Sequence, residues 1–156
     1  MLKSICEAMG KRIIDFCAAS GRLTLLFLAT LRRLKDAGFT LCTATCKPTE
    51  VVTPILEEQG IAGYFAFVGG ASMDESRDTK TDVIRHVLRQ PALQGKRVLM
   101  VGDRSDDMQG AANCGLDAAG VLYGYGSREE LEPFHPKLLV ESCKELTDKL
   151  LGTAEF

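Results

Sequence analysis

The stretch Val98-Leu-Met-Val-Gly-Asp-Arg-Ser-Asp-Asp-Met-Gln-Gly-Ala-Ala-Asn-Cys-Gly115 constrains the fold more than any other part of the chain. Four consecutive apolar residues, Val98 to Val101, make a run that suits a short strand buried on both faces. Gly102 ends the run and Asp103 follows it directly. Ser105 or Asp106 can cap a helix beginning there, and Gly115 can close that helix at C′. Such a strand delivers Asp103 to its carboxyl end, where open α/β sheets bind their ligands. Asp107 lies one helical turn further on and can turn back toward the same mouth. Two carboxylates above a strand end, beside helix-start N–H groups, suit a hard cation such as Mg²⁺ and its phosphate. A capped βα turn with solvated acids is the competing reading.

Upstream, Leu23, Leu26, Phe27, Thr30, Leu31 and Leu34 form one apolar stripe, with Arg32, Arg33 and Lys35 toward its end and Gly38 after it. That is a helix with a cationic last turn and a glycine stop. Phe39 to Thr45 reads as a strand, and Pro48 suits N1 of a helix that ends at Gly60 and is kinked or delayed by Pro54. Tyr64 to Val68 is a further strand. Thr79 or Asp78 can cap a helix through Val83, Ile84, Val87 and Leu88 that ends near Pro91. Ala118 to Tyr123 reads as a strand and Gly124-Tyr-Gly126 as a flexible loop. Ser127 and Glu130 fit a capping box, Leu138 to Val140 a last strand, and Ser142 to Leu151 a closing helix.

The first twenty residues carry two patterns. Leu2, Ile5, Met9, Ile13 and Phe16 recur at helical spacing, which favours an amphipathic helix broken or bent near Gly10. Arg12-Ile-Ile-Asp-Phe16 can instead be a short strand with Asp15 at its end. The helix is the preferred expectation.

Composition narrows the function classes. At 156 residues the chain fits one domain, and a formal net charge of −2 offers no broad basic field for nucleic acid. The longest apolar run, Leu23 to Leu31, is too short to span a membrane, and charges at Lys3, Glu7, Lys11, Arg12 and Asp15 break up any signal-peptide core. Six cysteines without a CxxC pair or paired histidine spacing make zinc an unsuitable partner and point to reduced thiols and a cytoplasmic address. His86 reads as a core-edge residue and His135 as a loop residue.

Strands alternating with helices predict an α/β fold, a Rossmann-like three-layer αβα sandwich on a mostly parallel sheet. In such a sheet Thr45, Lys80, Asp103 and Asp107 can converge at one rim. A hydroxyl, a lysine and two carboxylates would bind a phosphate and a divalent metal together. A dinucleotide-binding site is disfavoured, because Gly120 to Gly126 lacks GxGxxG spacing.

The order of these residues resembles the haloacid-dehalogenase-like (HAD) superfamily, in its phosphoglycolate-phosphatase-like branch. Leu41-Cys-Thr-Ala-Thr-Cys-Lys-Pro48 is similar to the second motif, Thr79-Lys-Thr-Asp-Val-Ile84 to the lysine motif, and Val101 to Ala111 to the acidic fourth motif. Gly120 to Gly126, followed by Glu129-Glu-Leu131, resembles that branch's tail. The resemblance implies an Mg²⁺-dependent phosphohydrolase of a small phosphorylated metabolite, working through an aspartyl-phosphate. Thr45 and Lys80 would be catalytic, Thr45, Cys46 and Lys80 would bind phosphate, and Asp103 and Asp107 would serve the metal.

The family's first motif, Asp-x-Asp-Gly-Thr, which holds nucleophile and acid/base, is not in the sequence; the closest string is Asp15-Phe-Cys17. The chain is therefore expected to consist of an atypical segment, residues 1–20, and a HAD-like core, residues 21–156, without a cap domain. Its start reads as lying near the end of the cap. The family's first strand sits mid-sheet, so residues 11 to 16 would replace it, the flanking strands would pair directly, or a partner would be needed. Impaired turnover is expected, with Asp15 the candidate substitute nucleophile. The alternative is a non-catalytic phosphate- or metal-binding module.

Overall fold

The structure is a computed structural model that describes residues 6–9 and 25–152. Its elements are β1 (Cys6–Met9), α1 (Leu25–Asp36), β2 (Phe39–Pro48), α2 (Thr49–Glu58), β3 (Phe65–Ala71), α3 (Lys80–Leu88), β4 (Leu99–Gly102), α4 (Ser105–Asn113), β5 (Asp117–Val121), α5 (Arg128–Leu131), β6 (Leu138–Val140) and α6 (Cys143–Gly152). The strands form one six-stranded sheet in the order β3-β2-β1-β4-β5-β6. The pairs β2–β3, β4–β5 and β5–β6 are parallel, while β1 runs antiparallel to both β2 and β4.

Period-two alternation explains why both faces of this sheet are covered. On β4, Leu99 and Val101 join one apolar cluster with Phe27, Leu31 and Leu34 of α1, Val52 and Leu56 of α2, and Leu146 and Leu150 of α6. Val98 and Met100 point the other way and join Val83, Ile84 and Val87 of α3 and Ala111 of α4. Strand β2 divides likewise, with Phe39 and Leu41 on the first face and Cys42 and Ala44 on the second. A strand buried on both sides needs apolar residues in succession, and that is what Val98 to Val101 supplies. The αβα sandwich expected from the alternation of elements is the observed fold, and the described residues form no cap.

Several local expectations need correction. The helix expected through Met9 is interrupted, because Cys6–Met9 is a strand. The slot between β2 and β4 is thus filled by residues 6–9. Arg12–Phe16, with Asp15, lies outside the described residues, as does the boundary placed between residues 20 and 21. Strand β2 continues three residues past Thr45, so Pro48 occupies the N-cap of α2 and not N1. Pro54 sits inside α2, which runs unbroken around it. Helix α4 starts from Arg104 at the N-cap, one residue before the expected capping residues. Gly115 does adopt the left-handed conformation expected after that helix, with φ +68°.

Candidate functional site

The carboxyl ends of β2, β3 and β4 lie on one rim, because these three strands share a direction. Thr45 is at the end of the buried part of β2, Asp103 directly follows β4, Lys80 opens α3 and Asp107 sits in the first turn of α4. All four are buried. The Lys80 Nζ donates to the carbonyl of Ala44 at 2.7 Å and pairs with Asp107 Oδ1 at 2.8 Å, with both side chains 6% exposed. The lysine thereby bridges β2 and α4. Gly110 makes room for it: a Cβ there would lie 2.7 Å from Lys80 Cγ.

Asp107 turns back as its position one turn into the helix allows. Its Oδ2 accepts the backbone N–H groups of Asp103 and Arg104, both at 3.1 Å, which caps α4 from within. Asp107 thus carries a lysine on one oxygen and two amides on the other. Asp103 Oδ2 accepts the Tyr125 N–H at 2.7 Å. The Thr45 hydroxyl oxygen accepts the Lys47 N–H at 3.1 Å, drawing the backbone after β2 over the threonine. Cys46 is exposed, at the edge of a cleft of about 290 Å³ lined also by Asp78, Thr79, Lys80, Asp106 and Gln109. The structure therefore brings Thr45, Lys80, Asp103 and Asp107 to one rim and leaves the Cys46 side chain outside the buried cluster.

Two contributors escaped the sequence reading. The Gly124-Tyr-Gly126 segment, expected as a flexible loop, closes directly on Asp103. A Cβ at Gly124 would lie 2.3 Å from Asp103 Cβ, and one at Gly126 would lie 1.9 Å from the Asp103 carbonyl oxygen. Glu130, expected at N3 of a capping box, makes only half of it. Ser127 Oγ accepts the Glu130 N–H, but the Glu130 carboxylate accepts the Ser105 N–H at 2.8 Å and pairs with Arg104 Nε at 2.9 Å. That amide, with Arg104 second, holds the Glu130 carboxyl below its ordinary pKa. The glycine pair flanking Tyr125 was the available sequence signal, since two glycines one residue apart mark a close approach of backbones.

The donor set bears on a metal. Among the described residues no three His, Cys, Asp or Glu side chains gather as a preformed cage. Two carboxylates at a strand end, oxygen donors without nitrogen or sulfur, nevertheless fit Mg²⁺, which keeps several waters and takes one or two carboxylates plus substrate phosphate.

With this geometry in place, the chain can be compared with known proteins. The sequence profile of the haloacid dehalogenase-like hydrolases matches residues 27–121. The chain belongs to this family. A phosphoglycolate phosphatase of Vibrio parahaemolyticus is 33% identical over 153 residues, covering 95% of this chain and 67% of its own length. The tyrosine-protein kinase PtkA of Mycobacterium tuberculosis is 41% identical over 129 residues, covering 81% of this chain and 44% of the kinase. A predicted phosphatase from Clostridium acetobutylicum superposes with a TM-score of 0.77 at 40% identity, over 81% of this chain and 59% of that one. This HAD-like chain thus spans about half to two thirds of the length of the relatives it matches. Among the described residues no helix is long and apolar enough to cross a membrane.

Proposed function

We infer that this chain is the phosphate- and metal-binding part of a HAD-type phosphohydrolase site for a small phosphorylated metabolite such as phosphoglycolate. The observation that carries the reading is the buried Lys80–Asp107 pair, tied to the Ala44 carbonyl immediately before Thr45. A buried ammonium fixed at a strand end, beside a hydroxyl, is an electrostatic complement for a phosphoryl dianion. The phosphatase and the kinase among the relatives are both named for phosphoryl transfer, which supports the same chemistry.

In this reading the Thr45 hydroxyl and the backbone N–H of Cys46 bind phosphoryl oxygens, and Lys80 offsets their charge. Asp103 would hold Mg²⁺, with Asp107 supporting it through water while keeping Lys80 in place. When bound, that cation supplies further positive charge at the phosphoryl oxygens. The Gly124–Gly126 turn fixes the direction in which Asp103 points, and Glu130 ties α5 to the start of α4 beside it. The Asp-x-Asp pair that would attack and transfer protons is not in the sequence. Turnover by the chain alone is therefore expected to be weak, and a non-catalytic phosphate-binding module is the second reading, favoured by that same missing pair.

The test is phosphate release from phosphoglycolate by the purified chain, with Mg²⁺ or with EDTA, alongside binding of phosphate measured by calorimetry. We expect saturable binding with a component that Thr45→Val weakens about tenfold, and release close to the uncatalysed blank. Robust Mg²⁺-dependent release abolished by both Asp15→Asn and Asp103→Asn would instead establish an active enzyme with Asp15 as nucleophile. No binding and no release would remove the phosphate site altogether.

A further inference from the structure

A second polar cleft, of about 300 Å³, lies on the solvent side of α3 and is lined by Ser76, Arg77, Asp82, Arg85, His86 and Arg89. It shares no lining residue with the cleft beside Lys80. Three guanidinium groups face one carboxylate here, in a chain whose formal net charge is −2. That carboxylate accepts the Thr79 hydroxyl on Oδ2 at 2.5 Å and is only distantly paired with an arginine, Arg85 Nη1 lying 3.8 Å from Asp82 Oδ1. Among the described residues no carboxylate pairs with Arg77 or Arg89.

Position on the helix accounts for only part of this cluster. Arg85 and Arg89 stand near the C-terminal end of α3, where the helix dipole favours cations. They are also one turn apart, a like-charge spacing that opposes helix formation. Arg77 comes from the preceding loop and gains nothing from the dipole. It is nonetheless held in place. Its N–H donates to Ser72 Oγ at 2.9 Å, its carbonyl accepts the Ser72 N–H at 3.0 Å, and its Nε donates to the Gly70 carbonyl at 2.8 Å. Asp74 braces the same loop by accepting from the Ser76 hydroxyl at 2.7 Å and the Ser76 N–H at 3.1 Å. A loop built in this way fixes Arg77 in a cleft that Arg85 and Arg89 also line. The His86 ring beside them rests on Phe67, with ring centroids 5.6 Å apart. Burial first, then Arg77 and Arg89, push its imidazole below the ordinary pKa, so the field of the arginines reaches it.

We propose that this cleft is a second anion site, distinct from the strand-end cluster, which takes a phosphoryl dianion between Arg77, Arg85 and Arg89. Guanidinium groups bind phosphate through paired N–H donors, and three of them balance the charge of one dianion even with Asp82 present. The dianion is either free phosphate or the phosphate of an organic monoester.

The chain has only two histidines, so their ring protons provide two separate NMR reporters. The purified chain is titrated at constant pH and ionic strength with inorganic phosphate, with phenyl phosphate, and with chloride as the monovalent control. We expect a saturable downfield shift of the His86 resonances with a phosphate species and no saturable shift of His135. Tighter binding of phenyl phosphate identifies an ester ligand, and equal or weaker binding identifies free phosphate. The response should weaken at least tenfold in Arg85→Gln/Arg89→Gln, return in part in Arg85→Lys/Arg89→Lys, and persist in Thr45→Val, which alters only the other site. No saturation with either phosphate, the same response to chloride, or a response that survives in the double glutamine variant would each overturn the proposal.

Discussion

Lys80 and Asp107 form an ion pair that water hardly reaches, with each side chain 6% exposed. Removing two charges from water is costly, and their attraction together with the surrounding hydrogen bonds offsets that cost only while both partners remain. Lys80→Met should therefore lower unfolding free energy by about 3–5 kcal/mol in urea titration, because it removes the ammonium that offsets the buried Asp107 charge. Lys80→Met/Asp107→Asn, whose amide oxygen can still accept the Asp103 and Arg104 N–H groups, should recover most of the loss, which would mark the charged pair as kept for phosphate binding and not for stability. A second residue-scale prediction concerns the thiols. Cys42 is fully buried, and burial pushes its pKa up to about 12. Since the thiolate is the reactive form, Cys42 should remain unlabelled by Ellman's reagent at pH 8 until the chain is unfolded, whereas exposed Cys46 should label in the native state. Mass spectrometry of the labelled peptides reads this directly. At this scale the sequence was informative about which side chains gather, since strand-end and helix-start positions follow from local pattern. It was silent on their partners. Nothing local links Lys80 to the Ala44 carbonyl, 36 residues away in the chain.

Glu130 marks how far local pattern carries for a whole element. The Ser127–Glu130 spacing correctly locates the start of α5, and Ser127 does accept the Glu130 N–H. The other half of the expected capping box fails because a stronger offer stands nearby. The Ser105 amide at the start of α4 and the Arg104 guanidinium together outweigh the Ser127 amide as donors. Helix α5 thereby clasps α4 across 25 residues and holds the turn that grips Asp103. The consequence for pH follows from the sign of the shift. The folded-state pKa of Glu130 lies below its ordinary value, so its stabilisation is fully present above the ordinary glutamate range. It disappears as pH falls through the lowered folded value. Glu130→Gln should therefore be less stable than the parent by about 1 kcal/mol at neutral pH, the side chain being partly solvated. The two proteins should converge in strongly acidic solution. Urea midpoints measured across the pH range would show the gap closing; a gap independent of pH would mean that the carboxylate's charge is not what holds α5 to α4.

For the molecule as a whole, the decisive question is what sits between β2 and β4. The alternation of elements made the layered sheet legible from Phe39 onward, because each strand announces itself by an apolar run and each helix by its stripe and stop. The first strand was not legible. Four residues are too few to display either periodicity, and Leu2, Ile5 and Met9 happen to fall at helical spacing around them. A vacant lane in a sheet overrides such a weak preference, since backbone donors and acceptors on both flanks demand partners. Cys6–Met9 supplies them in antiparallel sense, with Glu7 registered against Leu41 on β2 and Leu99 on β4. A proline in an interior strand removes a ladder donor and collides with its neighbour. Glu7→Pro should accordingly cost about 3 kcal/mol or more in urea titration, while Glu7→Ala should stay within about 1 kcal/mol of the parent. The proline variant should also self-associate in size-exclusion chromatography, because the long inner edge of β2 would be left as an open template for other copies. A proline variant as stable and as monodisperse as the alanine one would mean that β2 and β4 hold together without this strand, and that the sheet is really two parallel halves joined through their helices.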